Sequence, residues 1–303
     1  MKPKKTAKII DGKKISAAIL ADLRRDIAML RDKGVTPGLA VVLAGADPAS
    51  EVYVKAKRRT CAEIGVESFS HDLPENCTEK RLLKLIDKLN GDSRVHGILV
   101  QLPLPRHISE KRVLEAILPE KDVDGFHPVN VGRLLNGEEC FASCTPAGCQ
   151  ALLQRSGYDP AGKHVVIVGR SNIVGKPLAA LLIQKAAGAN ATVTICHSRT
   201  RNIGKFTREA DILVAAMGVP EFIKPRMVRK GAIVIDVGVN RIPDQTRKSG
   251  TRLVGDVAFA GVAKKARAIT PVPGGVGPMT IAMLMSNTVK AACRASGNAS
   301  KRT

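Results

Sequence analysis

The stretch KHVVIVGRSNIVGKP, Lys163–Pro177, decides how the chain must fold. Its apolar run from His164 to Val168 has the length of a buried strand and ends at Gly169. Gly175 and Pro177 then open a second apolar segment, with a proline in the first turn of a helix. Strand, glycine-bearing turn and helix in that order give the layout of a phosphate site. Backbone can approach closely at such a turn, and the helix start offers free N–H groups and the positive end of its dipole. The spacing Gly169-x-Ser171-x-x-x-Gly175 departs from G-x-G-x-x-G, so by itself the segment reads equally as a tight strand-to-helix turn.

Downstream, the strand Thr192–Cys196 runs into His197-Ser198-Arg199-Thr200-Arg201. Sites for NAD place an acid at that strand end to bind the ribose hydroxyl, and none is present here. A hydroxyl and guanidinium groups, with Arg170 in the first turn, suit a 2′-phosphate and hence NADP. The alternative is a solvated basic loop.

The same alternation of strand and helix fills the chain. Upstream, Ile15, Ile19, Leu23, Ile27 and Leu30 follow helical spacing, and Gly38–Gly45 reads as a buried strand. Asp47-Pro48 then predicts a capped helix to Ile64. Strand Val66–Phe69, helix Glu79–Leu89, strand His96–Leu102 and helix Ser109–Ile117 complete this series. A second series opens after Thr145-Pro146 with a helix to Arg155 and continues through the strand and turn above, whose helix is expected over Val174–Ala187. It adds strands at Ile212–Ala216, Ala232–Val237 and Ala268–Ile269. A last helix from Pro278 places Ile281, Leu284, Met285, Thr288 and Ala292 on one face. The pattern predicts an α/β protein of two units, each with a parallel sheet covered on both faces, and a boundary near residue 146. The two termini read as flexible basic tails.

Composition narrows the function class. With 303 residues and 44% apolar content, the chain can bury substantial cores and is no disordered basic tail protein. The net charge is +21, of which residues 1–150 carry +4 and residues 151–303 carry +17. Such a field attracts nucleic acid, membrane surfaces or small polyanions. Six Phe, two Tyr and no Trp argue against an aromatic surface for single strands, and the scattered basic residues argue against nucleic acid as a main partner. Seven cysteines form an odd, unpatterned set, pointing to a reducing compartment. Cys140, Cys144 and Cys149 lack paired CxxC spacing, so no metal site is expected. No apolar run reaches membrane-spanning length, and MKPKKTAKII has no signal-peptide core. A cytoplasmic protein is expected, with organellar addressing by the basic start left open.

Several side chains invite chemistry. Tyr53 and Lys57, spaced i, i+4, share a helix face, although Lys55, Lys57, Arg58 and Arg59 also read as a solvated basic run. Gln101 ends the strand in HGILVQLPLP, where ligands of open α/β sheets gather, or serves as a packed amide. Asp122 and Asp124 in KDVDGFHP form either a carboxylate pair or turn-forming aspartates. TPVPGGVGPMT, Thr270–Thr280, is a rigid loop before a helix, either a connector or a cleft wall.

DPASEVYVKAKRRTCAEIG, HGILVQLPLP, PEKDVDGFHPVNVGRL, CTPAGC, VVIVGRSNIVGKP, GAIVIDVGVN, VGDV and TPVPGGVGPMT occur in this order. Together they resemble the bifunctional methylenetetrahydrofolate dehydrogenase/methenyltetrahydrofolate cyclohydrolase family, over all but the start before Ile9 and the tail after Cys293. The resemblance implies a homodimer of two-domain subunits with folate in the cleft between domains. Residues 1–145 would be the folate-binding catalytic α/β domain, and residues 146–277 a Rossmann-like NADP-binding domain. Residues 278–303 would be a helix returning to the first domain, plus a basic tail. NADP⁺ would oxidise 5,10-methylenetetrahydrofolate to the 5,10-methenyl compound, and water would open that to 10-formyltetrahydrofolate.

Residue by residue, the resemblance makes Tyr53 a flank for folate and Lys57 the acid/base for the attacking water. Gln101 would orient Lys57, with Val100 and Leu102 beside it at the substrate, and Asp124 would hydrogen-bond the pterin. Pro273, Gly274, Gly275, Val276 and Gly277 would contact folate, and Gly169, Arg170, Ser171, Ser198 and Val239 would bind NADP. An amine that moves protons near neutrality must be desolvated, since a free lysine titrates near about 10.4. Lys55, Arg58 and Arg59 are expected to help by like-charge repulsion. Folate carboxylates, including those of a polyglutamate tail, and NADP phosphates suit the positive field. Val239 stands where isoleucine is common, and Arg241–Arg252 is expected to be a surface loop.

Overall fold

The computed structural model describes residues 6–45, 48–247 and 250–297. The expected cap at Asp47 and most of the two terminal tails lie outside the described residues. The chain opens with strand β1 (Lys8–Ile9), helix α1 (Gly12–Arg31), β2 (Gly38–Ala44), α2 (Pro48–Ile64), β3 (Glu67–Leu73) and α3 (Glu79–Gly91). It continues through β4 (Gly97–Val100), α4 (Glu110–Glu115), α5 (Pro128–Asn136), α6 (Cys144–Arg155), β5 (His164–Val168), α7 (Gly175–Leu182) and β6 (Thr192–Cys196). The remainder comprises α8 (Ile203–Thr207), β7 (Ile212–Ala215), β8 (Ile233–Asp236), β9 (Asn240–Pro243), β10 (Thr251–Val254), α9 (Phe259–Val262), β11 (Ala268–Ile269) and α10 (Val276–Ala295).

Two compact units result: Ala17–Cys144 with Ile281–Thr303, and Met1–Ser16 with Thr145–Thr280. The change of unit at Thr145 lies beside the boundary read from sequence. The start of the chain counts with the second of these units, because β1 joins the sheet there. Lys8 pairs in parallel with Ala268, and Ile10 N–H donates to the Ile269 carbonyl at 2.9 Å. The units also divide within α1 and α10, so the last helix counts partly with each.

The first unit holds a parallel sheet in the order β3-β2-β4. β2 (GLAVVLA) is buried at every position, as its unbroken apolar run requires. β3 runs past Phe69 to Leu73 because all of Glu67–Leu73 pairs with β2; its half-exposed face carries Ser and His, which hide it from a hydrophobicity reading. A core of Leu82, Ile86, Ile98, Val113 and Ile117 lies under the sheet. Helix α5 escaped the periodicity reading, although both its ends are marked. The His127 side chain accepts from Val129 N–H, and Gly137 takes a left-handed φ of 77° at the C-cap.

The second unit holds a six-stranded parallel sheet in the order β1-β11-β8-β7-β5-β6. Val166, Val168, Leu213, Val234 and Ile269 build its core. Helix α7 stops at Leu182 rather than at Ala187, because Ala191 N–H takes the Leu182 carbonyl and Asn190 N–H takes that of Gln184. The segment expected as a surface loop instead forms an antiparallel pair, with Asn240↔Val254 and Pro243↔Thr251 in register.

Candidate active site

In the first unit the strand order reverses at β2: its successor β3 lies on one side and β4 on the other. Ligands of open α/β sheets collect outside the carboxyl ends of strands at such a switch point. Gln101 follows β4 there, anchored by its N–H to the Val42 carbonyl at 2.9 Å. Helix α2, which follows β2, carries Tyr53 and Lys57 one turn apart. Tyr53 is 38% exposed, whereas Lys57 is only 6% exposed. The Lys57 ammonium donates to Gln101 Oε1 at 3.0 Å, and Gln101 Nε2 donates to the Leu102 carbonyl at 2.7 Å. An ammonium has no acceptor, so the amide oxygen must face it, and the second bond fixes that orientation. Val100 is buried in β4 beside this pair.

The rest of the basic run behaves differently. Lys55 pairs with Glu51 at 3.6 Å, Arg58 with Asp72 at 2.5 Å and Arg59 with Glu63 at 3.4 Å. Each of these cations faces its own carboxylate. Burial and the Gln101 contact set Lys57 apart.

The two aspartates of KDVDG also separate. Ile98 N–H takes the Lys121 carbonyl at 2.8 Å, laying this segment alongside β4. Asp122 is 1% exposed and accepts from the backbone N–H groups of Gly125, Phe126 and His127 and from Asn130 Nδ2, at 2.8–3.2 Å. Its carboxylate is spent on shaping the loop. Asp124 faces the charge of Lys57 instead. Burial pushes its carboxyl above the ordinary range, Lys57 pulls it back, and Asp122 raises it. The charge of Lys57 also opposes the burial that lifts the Cys61 thiol to about 12 and the Cys144 thiol well above its ordinary value. Sequence reasoning missed the support behind Asp124. Asn287 Nδ2 donates to the Val123 carbonyl at 2.8 Å and to that of Ala142 at 3.0 Å, and Cys144 Sγ donates to Val123 at 3.3 Å. A polar residue on the apolar helix α10 was the available signal.

The second unit has its switch point at β5, flanked by β6 and β7. Gly169 follows β5 with φ +134°, and a Cβ there would stand 2.1 Å from the Ala216 carbonyl oxygen. One on Gly175 would stand 2.1 Å from the Gly169 carbonyl oxygen, so only glycine permits this approach. Ser171 Oγ accepts from Val174 N–H at 3.1 Å and Gly175 N–H at 3.4 Å, holding the turn against α7. Arg170 and Ser171 are exposed at the turn, and Ser198 and Arg199 are exposed past β6. The latter turn is closed by His197 N–H to Thr200 Oγ1 at 2.9 Å and Thr200 N–H to the His197 carbonyl at 2.8 Å. A side-chain-free cradle with hydroxyl and guanidinium donors, and no acid at the β6 end, fits a 2′-phosphorylated dinucleotide. Val239 is 47% exposed past β8.

The loop Thr270–Gly277 lies in this unit up to α10. Its Val272–Pro273 bond is cis and Gly274 has φ +105°. Lys13 N–H holds the Gly274 carbonyl at 3.2 Å, and a Cβ on Gly12 would fall 1.7 Å from the Gly275 carbonyl oxygen. The loop is therefore clamped by the start of α1.

Cys140, Cys144 and Cys149 are free thiols, and among the described residues no three His, Cys, Asp or Glu side chains gather as a metal-holding group. Among the same residues, no helix is long and apolar enough to cross a membrane.

Comparison with known proteins accounts for both units. Residues 10–124 match the model of the tetrahydrofolate dehydrogenase/cyclohydrolase catalytic domain, and residues 143–296 match that of the family's NAD(P)-binding domain. The bifunctional protein FolD of Moorella thermoacetica is 57% identical over 288 residues, covering 95% of this chain and 99% of its own. The crystal structure of the FolD dehydrogenase/cyclohydrolase from Campylobacter jejuni superposes with a TM-score of 0.90 at 49% identity, over 95% of this chain and 99% of that one. The Trypanosoma brucei FolD structure, complexed with NADP cofactor and inhibitor, gives a TM-score of 0.90 at 41% identity, over 95% and 98%. With both domain models matched in sequence and nearly the whole length shared, this chain belongs to the tetrahydrofolate dehydrogenase/cyclohydrolase family.

Proposed function

We propose that the protein is a bifunctional enzyme of one-carbon folate interconversion. It oxidises 5,10-methylenetetrahydrofolate to 5,10-methenyltetrahydrofolate with NADP⁺ and then hydrolyses that product to 10-formyltetrahydrofolate. The observation that carries the reading is the buried Lys57–Gln101 pair at the switch point of the first sheet, in a chain of this family.

For the oxidation, bound NADP⁺ supplies the hydride acceptor. The protein's task is to hold the reactants at reacting distance, which requires positioning rather than an acid or base. Gly169 lets backbone approach the pyrophosphate, Arg170, Ser171 and Ser198 take the phosphates, and Val239 lines the crevice. For the hydrolysis, Lys57 handles the proton of the water that attacks the methenyl carbon and returns a proton to the ring nitrogen released. Gln101 Oε1 holds the amine in place, Tyr53 flanks the folate, and Asp124 hydrogen-bonds the pterin. Val100 and Leu102 border the substrate, and Pro273–Gly277 is assigned to folate contact on its motif. The enzyme acts as a cytoplasmic homodimer, and its basic surface suits polyglutamylated folates.

The same scaffold with hydride transfer alone would be a monofunctional dehydrogenase; the intact Tyr53, Lys57 and Gln101 favour the bifunctional reading. The test is to supply methenyltetrahydrofolate without any dinucleotide. Enzyme-dependent formation of the 10-formyl compound is expected, and a rate no greater than in buffer would remove the second activity.

A further inference from the structure

Two aspartates that this chemistry does not use lie buried at the carboxyl end of the six-stranded sheet. Asp236, the last residue of β8, is 2% exposed, and Asp256, just past β10, is fully buried at 0%. Asp236 Oδ1 accepts from Gly238 N–H at 3.1 Å and Asp256 N–H at 2.9 Å, and its Oδ2 accepts from Val257 N–H at 3.0 Å. Asp256 Oδ2 accepts from Met217 N–H at 2.7 Å and Gly218 N–H at 2.9 Å, and its Oδ1 from Asn240 Nδ2 at 2.9 Å. The fit excludes side chains on the neighbouring glycines. A Cβ on Gly238 would stand 2.1 Å from Asp256 Oδ1, and one on Gly255 would stand 1.8 Å from Asp236 Oδ2.

These bonds fasten the loops after β7 and β8 to the segment after β10. Met217-Gly218 directly follows Ala216, the carbonyl against which Gly169 packs. Gly238 and Asn240 bracket Val239. If the turn past β6 takes the 2′-phosphate of the adenosine half, the other half of the dinucleotide extends across the switch point, over β7 and β8. The carboxylates therefore hold together the backbone segments over which that half would lie.

We propose that Asp236 and Asp256 are positioning residues for the nicotinamide half of the dinucleotide, acting through Met217, Gly218 and the Gly238–Asn240 segment. This rests on the reading of the second unit as an NADP site. The two acids differ in what an amide can replace. In Asp256→Asn, the oxygen can keep Met217 and Gly218 while Asn240 turns its own oxygen toward the new NH₂. In Asp236→Asn, both oxygens face fixed backbone N–H groups, so one donor meets the NH₂ and is left unpaired.

The experiment measures binding of NADPH and of adenosine 2′,5′-bisphosphate, a probe of the adenosine half alone, to the full chain and its variants. Asp236→Asn is expected to weaken NADPH by about 10-fold or more while leaving the bisphosphate within about 3-fold. Asp256→Asn is expected to stay within about 3-fold for both. Asn240→Leu removes one side-chain bond and leaves the backbone donors paired, so it serves if Asp236→Asn does not fold. It should weaken NADPH selectively by about 3- to 10-fold. Equal weakening of both ligands, or unchanged NADPH binding in Asp236→Asn and Asn240→Leu, would overturn the proposal. Failure of the wild type to bind either ligand would instead overturn the NADP reading beneath it.

Discussion

Replacing Lys57 by methionine keeps a flexible unbranched side chain, one heavy atom shorter, and removes its charge and its protons. Nζ donates to Gln101 Oε1 at 3.0 Å, so the change leaves that half-buried oxygen without its donor, at about 1–3 kcal/mol. It also removes the charge that draws Asp124 down against its burial, so the Asp124 carboxyl rises further toward its neutral form. A positioned acid/base contributes about 10²- to 10⁴-fold, or about 3–6 kcal/mol of barrier. Cyclohydrolase turnover, followed by loss of methenyltetrahydrofolate absorbance, should therefore fall at least ~100-fold. NADPH binding should stay nearly unchanged, because the dinucleotide residues belong to the other compact unit. Thermal melting checks that the variant is folded. A folded Lys57→Met protein that hydrolyses within about 10-fold of wild type would refute the acid/base role.

Arg170→Ala and Ser198→Ala each remove a donor proposed for the 2′-phosphate, and a charge-assisted bond is worth about 1.5–3 kcal/mol. KM for NADP⁺ should rise by about 10-fold or more in Arg170→Ala while KM for NAD⁺ barely moves; equal losses would contradict 2′-phosphate recognition. Gly12→Ala would drive a methyl to 1.7 Å from the Gly275 carbonyl oxygen, so helix or loop must shift. Overpacking of this kind costs about 1–3 kcal/mol or more, and both the melting temperature and folate affinity should drop; no change in either would show that the clamp is unimportant. Burial lifts Asp236 from its ordinary 3.8 to about 7, against three hydrogen bonds that lower it. The folded state then retains a proton that the unfolded chain releases, so Asp236 makes stability decline as pH rises from about 4 to 7 and level off above. In urea titrations, wild-type stability minus that of Asp236→Asn should fall across this window; a flat difference would show that Asp236 titrates in its ordinary range.

The alternation of apolar runs with 3.6-residue periodicity made both sheets legible, because parallel strands buried on two faces are written as unbroken apolar segments. Strands without that burial carry no such signal. β3 is a polar-faced edge strand whose apolar signal ends at Phe69, and β1 is too brief to carry a pattern, so its place in the second sheet comes only from pairing with Ala268 and Ile269. The β9–β10 pair alternates exposed and half-buried residues amid arginines, a pattern that in sequence resembles a surface loop. At the site, spacing put Tyr53 and Lys57 on one face but could not tell Lys57 from Lys55, Arg58 and Arg59. Surface carboxylates from Glu51, Asp72 and Glu63 make that distinction, two of them a helical turn away and one on β3. Nor could sequence alone separate Asp122 from Asp124, because the donors that occupy Asp122 are the backbone of its own loop. The acids of GAIVIDVGVN and VGDV stood in plain view between glycines, yet their partners lie on other strands' loops.

The proposed enzyme carries out oxidation and ring opening in succession on one chain. Purified protein should be mixed with 5,10-methylenetetrahydrofolate and either NADP⁺ or NAD⁺, with reduced dinucleotide, methenyl and 10-formyl compounds all quantified over time. The predicted result is NADPH formed in step with 10-formyltetrahydrofolate, faster than with NAD⁺ at equal concentration. Reduced dinucleotide accompanied only by accumulating methenyl compound beyond its spontaneous hydrolysis, or no reduction of either dinucleotide, would contradict it.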